Sequence, residues 1–162
     1  MGEIIIMRGL PGSGKDRYIN DLKRTPRYMK DVVVCSADDY FMENGKYVFV
    51  PYNIAKAHAA CQSLFIRSLI DKVPVIIINN TNCEVWEFNN YILMADMMGY
   101  SWRLVDLFDG DVPDAVLAER NKHGVSIEKI TAMRDRYMFI SHDYENNGLI
   151  HHRNQARAEY DG

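Results

Sequence analysis

Seven residues near the start of the chain, Gly9-Leu10-Pro11-Gly12-Ser13-Gly14-Lys15, have types and spacing suited to holding an anion. Two glycines bracket four residues and a lysine follows at once, the spacing of a loop that cradles nucleoside triphosphate phosphates. Glycine lets successive backbone N–H groups turn into one concavity, and a helix beginning there adds its partial positive charge. Lys15 supplies a full charge to the β- and γ-phosphates. Leu10, Pro11, Gly12, Ser13, Gly14, Lys15 and Asp16 are therefore the expected nucleotide-binding residues, with Lys15 also a catalytic group. The alternative is a glycine-rich turn that binds nothing; strand and helix patterns on either side argue against it.

Two positions depart from the usual pattern. The residue after the lysine, normally a Ser or Thr that holds Mg2+, is Asp16. At the end of a later strand, where an acid usually helps hold the ion, the chain has Asn79-Asn80. A carboxylate beside phosphates repels them unless a divalent cation lies between. Together the changes keep one formal negative charge near the ion while moving it from one strand end to the other. Asp16 is thus expected to be a direct or water-mediated Mg2+ ligand, with Asn80 as a further metal candidate. The bland reading is a weakened or lost metal site.

A second cluster, Ser36-Ala37-Asp38-Asp39-Tyr40-Phe41, follows the run Val32-Val33-Val34-Cys35. In an open α/β sheet the C-terminal strand ends line the ligand crevice, so these acids should face the phosphate loop. Asp38 is expected to orient an acceptor hydroxyl and take its proton during phosphoryl transfer. Asp39 reads as a helix cap or loop anchor. Adjacent loop acids are more often merely solvated, and the nearby phosphate loop is what favours the catalytic reading.

Positioning these groups requires strands and helices in alternation, the pattern of right-handed βαβ units on a parallel sheet. Glu3 to Met7, Val32 to Cys35, Val75 to Ile78 and Trp102 to Phe108 read as strands. The third is uninterrupted β-branched sequence, as in a strand covered on both faces. Asp16 to Lys23 reads as a helix, and Asn53 to Ile70 as another with Ile54, Cys61 and Phe65 on one stripe. His58, within that stripe, reads as a hydrogen-bonded core residue. Thr81 to Glu84 fits a capping box for a helix that buries Val85, Phe88, Ile92 and Ala95 and stops at Gly99. Asp111 with Pro113 opens a short helix ending near Asn121. Ser126 caps a last one, with Ile130, Met133, Tyr137 and Ile140 on one face. Asn146-Asn147-Gly148 then Leu149-Ile150 suggests a turn and a short strand.

The 162 residues carry 19 basic and 22 acidic side chains, a formal charge of −3, and 48% are hydrophobic. That composition fits one globular domain with a real core and excludes disorder over most of the chain. A domain at 1–141 and an extension at 142–162 are expected. The pI of about 5.9 excludes a general nucleic-acid binder, so any such contact must be a local groove. No apolar run approaches the roughly 20 residues of a membrane-crossing helix, and the N-terminus has no cleavable-signal pattern. Cys35, Cys61 and Cys83 lack paired spacing and read as reduced, buried thiols, which predicts a cytoplasmic setting.

Five segments in order, G-L-P-G-S-G-K, S-A-D-D-Y-F, A-H-A-A-C, N-T-N (Asn80-Thr81-Asn82) and R-N-K-H-G-V, give the stretch from Ile4 to Tyr137 a family likeness. It resembles the polynucleotide 5′-hydroxyl kinase-like P-loop kinases, phage members included. The resemblance implies a three-layer α/β P-loop kinase fold: a short, mainly parallel central sheet flanked by helices, with a helical lid. It implies ATP and Mg2+ as cofactors, and γ-phosphate transfer to a nucleic-acid 5′-hydroxyl, in a host cytoplasm if the chain is phage-encoded. The first aspartate of D-D-Y, Asp38, would be the general base. The lid falls on Arg120-Asn121-Lys122-His123-Gly124, with Arg120 and His123 as catalytic candidates. Physical reasoning agrees, because an arginine over a transferring phosphoryl group stabilises its developing charge and Gly124 is a plausible hinge. The alternative is a solvated basic helix end. Phage enzymes often carry an acceptor-holding arginine after D-D-Y; here it is Phe41. A small-acceptor kinase for a nucleoside or nucleotide, and a nucleotide-binding module without catalysis, are the rival readings.

Overall fold

The computed structural model describes residues 2–140 and the backbone of 149–151. Along the chain run β1 (Glu3–Arg8), α1 (Lys15–Leu22), β2 (Val32–Cys35), β3 (Met42–Glu43), β4 (Lys46–Tyr47), α2 (Ile54–Ile70), β5 (Val75–Asn79), α3 (Val85–Met98), β6 (Ser101–Asp106), α4 (Asp114–Arg120), α5 (Ile127–Asp135) and β7 (Leu149–His151). The main sheet has the order β2-β5-β1-β6-β7, and all its pairings are parallel. Ile4 of β1 lies between Ile76 of β5 and Trp102 of β6, so the central strand is one buried from Ile4 to Arg8.

Alternation along β1 splits its side chains between two cores. Ile4 and Ile6 pack with Phe65 of α2 and Phe88 and Ile92 of α3, while Ile5 and Met7 pack with Tyr18 and Ile19 of α1. Helices on both faces make three layers, as the continuous β-branched runs require. A third cluster joins the phosphate loop to the helices expected to form a lid: Leu10, Cys83, Leu117, Ile130 and Tyr137. Among the described residues no helix is long and apolar enough to cross a membrane.

Several local expectations change. α3 does not begin at Thr81: its capping box is Glu84 with Glu87, whose carboxylate accepts from the Glu84 N–H at 2.8 Å. The reason lies two residues before Glu84, where buried Asn82 takes a left-handed φ of 48° and donates to the Met7 carbonyl at 2.8 Å. Gly99 does end α3 in the left-handed conformation, and Ser126 does cap α5, its hydroxyl accepting from the Lys129 N–H. β6 ends at Asp106, short of Phe108. Ile54 is exposed rather than buried, and so is His58, which no core surrounds. The predicted strand after Gly148 exists as β7 and extends the main sheet beside β6. The Asn146-Asn147-Gly148 turn lies outside the described residues, as does the rest of the 142–162 extension.

Buried Arg8 ends β1 immediately before the phosphate loop. Its guanidinium donates to the Asn82, Cys83 and Met138 carbonyls at 2.8, 2.9 and 2.7 Å and pairs with Asp106 at 3.0 Å. The rings of Phe88 and Tyr137 flank it. One cation thereby ties together the ends of β1 and β6, the loop after β5 and the segment after α5.

Candidate active site

The loop between β1 and α1 curls back on itself. The Ser13 N–H donates to the Leu10 carbonyl at 3.0 Å, and Gly14 caps α1 with φ 99°. Among the described residues the N–H groups of Gly12, Gly14, Lys15 and Asp16 meet no protein acceptor, which leaves a bowl of donors at a helix start. Gly12 has φ +79°, and a Cβ there would run into the carbonyl oxygen of Leu117 on α4. Lys15 folds over the loop, donating to the Gly9 and Leu10 carbonyls at 2.8 and 3.0 Å. Burial pulls its ammonium down to about 8, against the opposing pull of Asp16 and Asp38.

Asp16 projects from the first turn of α1 toward the end of β5. The Asn79 amide donates to its carboxylate at 2.8 Å, while the Asn79 side-chain oxygen is buried without a partner among the described residues. The unpaired oxygen beside a carboxylate suits a hard cation such as Mg2+, which takes oxygen ligands and retains waters. Asn80 does not join them. Its side-chain oxygen accepts from the Ala37 N–H at 2.9 Å and its amide faces Cys61 Sγ at 3.6 Å, so it secures the acid-bearing loop instead. The strand-end group facing Asp16 is Asn79.

That acid-bearing segment is a 3-10 turn over Ala37–Phe41 at the end of β2. Asp38 lines the same cleft as the phosphate loop; Asp39 does not. One Asp38 oxygen accepts from the Tyr47 hydroxyl at 3.2 Å and the other lies 3.5 Å from His123 Nε2. His123 arrives on the segment between α4 and α5, its ring 4.1 Å from that of Tyr47. Asn121 shapes this segment: its side-chain oxygen accepts from the N–H groups of His123 and Val125, and its amide donates to the Ala118 and Val125 carbonyls. Gly124 follows with φ +67°. Arg134 secures the other side, donating to Asp114 at 2.7 Å and to the Asp109 and Val112 carbonyls.

The loop from Gly12 to Asp16, Asn79, Asn80, Asp38, Tyr47, Asn121 and His123 line one open cleft of about 1360 Å3. Lys15, Asp38, Arg120 and His123 are thus brought together, with exposed Arg120 on the rim. Seven Lys and Arg side chains line the cleft against four Asp and Glu, the reverse of the chain's overall sign. Exposed His58 also lines it. Tyr47 and Phe49 were not among the expected site residues. Their signal was Asn44-Gly45, a hairpin turn between two short strand-like pairs, here with φ 49° and 78°.

Residues 4–126 match the family described as AAA domain. Human NEDD4-binding protein 2 is 37% identical over 141 residues, which is 85% of this chain but 8% of that protein. Among solved structures, Chaetomium thermophilum Kti12 in complex with ADP-AlF3 superposes with a TM-score of 0.66 at 14% identity, covering 98% of this chain and 95% of that one. A fungal RNA kinase gives 0.58 at 12% identity, covering 93% of this chain and 38% of the kinase. These two likenesses establish the P-loop kinase fold.

Proposed function

The chain belongs to the AAA domain family, and from that membership and the geometry of its cleft we propose that it is an ATP-dependent kinase acting on a nucleic-acid 5′-hydroxyl. The carrying observation is that Asp38 opens into the same cleft as the donor bowl and Lys15, within contact of His123. Phosphoryl transfer asks little covalent work of a protein, so placement and charge neutralisation supply most of the rate. The loop amides and Lys15 bind the phosphates. Asp38 accepts the proton of the acceptor hydroxyl as its oxygen bonds to the γ-phosphorus; the bond from that phosphorus to the bridging oxygen breaks, and ADP departs with the electron pair. Arg120 stabilises negative charge on the transferring group, and His123 brings the α4–α5 segment down over Asp38. Asp16 and Asn79 are the residues that would hold Mg2+, which when bound neutralises phosphate charge.

The acceptor reading draws on the basic lining of the cleft in an otherwise acidic chain, a local groove suited to a polyanion. The fungal RNA kinase that shares this fold points the same way. A small-acceptor kinase is the second reading, favoured by Phe41, which is 5% exposed and offers an apolar wall rather than a cation. Incubating the chain with γ-labelled ATP, Mg2+ and a panel of 5′-hydroxyl DNA, RNA and nucleosides tests both. Labelled oligonucleotide whose formation weakens steeply with salt is expected, and Asp38→Asn should slow it by about 100- to 10,000-fold. Labelled nucleoside alone selects the second reading. No labelled product from any acceptor leaves a nucleotide-binding module.

A further inference from the structure

Asp38 is held by a residue to which nothing above assigns a role in the reaction. The β3–β4 hairpin rises directly from the 3-10 turn that carries Asp38. Met42 pairs with Tyr47 across it, and the Val48 N–H donates to the Phe41 carbonyl at 2.8 Å. Backbone bonds therefore fix the distance between Tyr47 and Asp38, independent of the segment above. The Tyr47 hydroxyl spends its one proton on Asp38 Oδ1 at 3.2 Å. Among the described residues the other oxygen, Oδ2, makes no such bond, and it faces His123 Nε2 at 3.5 Å.

We propose that Tyr47 is a positioning residue for the phosphotransfer: it occupies one oxygen of Asp38 and leaves the other, Oδ2, as the atom that receives the acceptor proton. The assignment rests on the kinase reading above and adds to it which carboxylate oxygen works and what aims it. Tyr47 is suited to donate only. Burial and the adjacent Asp38 charge push its phenol well above the ordinary tyrosine range, so it does not compete for the acceptor proton. Its ring is also fixed. Phe41 meets it edge-on at 6.0 Å, Phe49 lies nearly parallel at 6.2 Å, and His123 covers it at 4.1 Å. Lys129 of α5 sits over Phe49 at 4.9 Å, so the hairpin that aims Asp38 is also the surface on which the α4–α5 segment rests. An acceptor hydroxyl reaching Oδ2 takes the place of His123 there, while Tyr47 keeps its hold on Oδ1.

Tyr47→Phe retains the ring and deletes the hydroxyl. Measured with the acceptor that the panel identifies, its kcat should fall about tenfold, because Oδ2 is no longer aimed at the acceptor proton. KM for ATP and KM for the acceptor should stay unchanged, and Tm should fall by no more than about 4 °C. On an Asp38→Asn background the same substitution should cost nothing further, because residue 38 then has no carboxylate oxygen to aim at the acceptor proton. Full activity in Tyr47→Phe, or an equal loss on both backgrounds, overturns the assignment while leaving the kinase reading intact. No transfer by the unsubstituted chain to any acceptor overturns the kinase reading, and this assignment with it.

Discussion

Arg8→Met makes the sharpest test of how the site is built. The side chain has 0% exposure, and methionine keeps its apolar stem while removing the guanidinium. Four partners lose it at once: the Asn82, Cys83 and Met138 carbonyls and the Asp106 carboxylate. Removing one member of a buried ion pair costs about 3–5 kcal/mol. Asp106 retains the Tyr137 hydroxyl at 2.7 Å and the Phe108 N–H at 2.9 Å, which restrains the loss; the three orphaned carbonyls add to it. A net loss of about 4 kcal/mol follows from those opposed effects. For a chain of this length that lowers Tm by about 8–16 °C, readable by calorimetry or circular dichroism. Adding Asp106→Asn should recover part of it, since the uncompensated charge goes while an oxygen remains to accept from Tyr137 and Phe108. A Tm shift below about 2 °C, or a double variant no better than Arg8→Met, would refute the idea that this pair knits the strand ends together.

Asp16→Ser should reduce Mg2+-dependent ATP affinity by about 10- to 100-fold in calorimetric titration with and without the ion; a sharp improvement would show that Asp16 does not compensate for Asn79. Gly12→Ala puts a side chain at φ +79° and against the Leu117 carbonyl. It should cost about 1–2 kcal/mol from the backbone conformation alone and weaken nucleotide binding as α4 is pushed away, which a thermal scan and a fluorescent-nucleotide titration would register. Cys35 is raised to about 12 by burial, with Cys61 and Asp39 contributing, so the native thiol should resist alkylation at pH 8 and react only after denaturation. Because the unfolded thiol ionises near 9 and the folded one near 12, its contribution to stability is full below about 9 and declines as pH rises toward 12.

The phosphate loop was legible because its chemistry is local: Gly9 to Lys15 must be close in sequence to turn consecutive amides into one bowl. The strands were legible for a similar reason, since Val75 to Ile78 can be satisfied only where both faces are covered. Asp38 could be chosen over Asp39 only by supposing that the sheet turns it inward; of the two, Asp38 lines the cleft. Misreadings arose where long-range bonds outbid local propensity. Thr81 fits a cap by pattern, yet the bond from Asn82 to Met7, 75 residues away in sequence, delays the helix to Val85. His58 has a buried residue's spacing, but in the first turns of α2 Ala57 reaches the core while exposed Ile54 and His58 border the cleft.

Sequence alone determined where an anion can be held and which residues build the sheet, because period-two burial, β-branching and glycine spacing act over a few neighbours. Which of two asparagines faces Asp16, which hydroxyl holds Asp38, and how Arg8 is neutralised were decided by the fold. Each depends on atoms from separate elements meeting within about 3 Å, and a parallel sheet brings such elements together through crossovers whose lateral order no local pattern encodes.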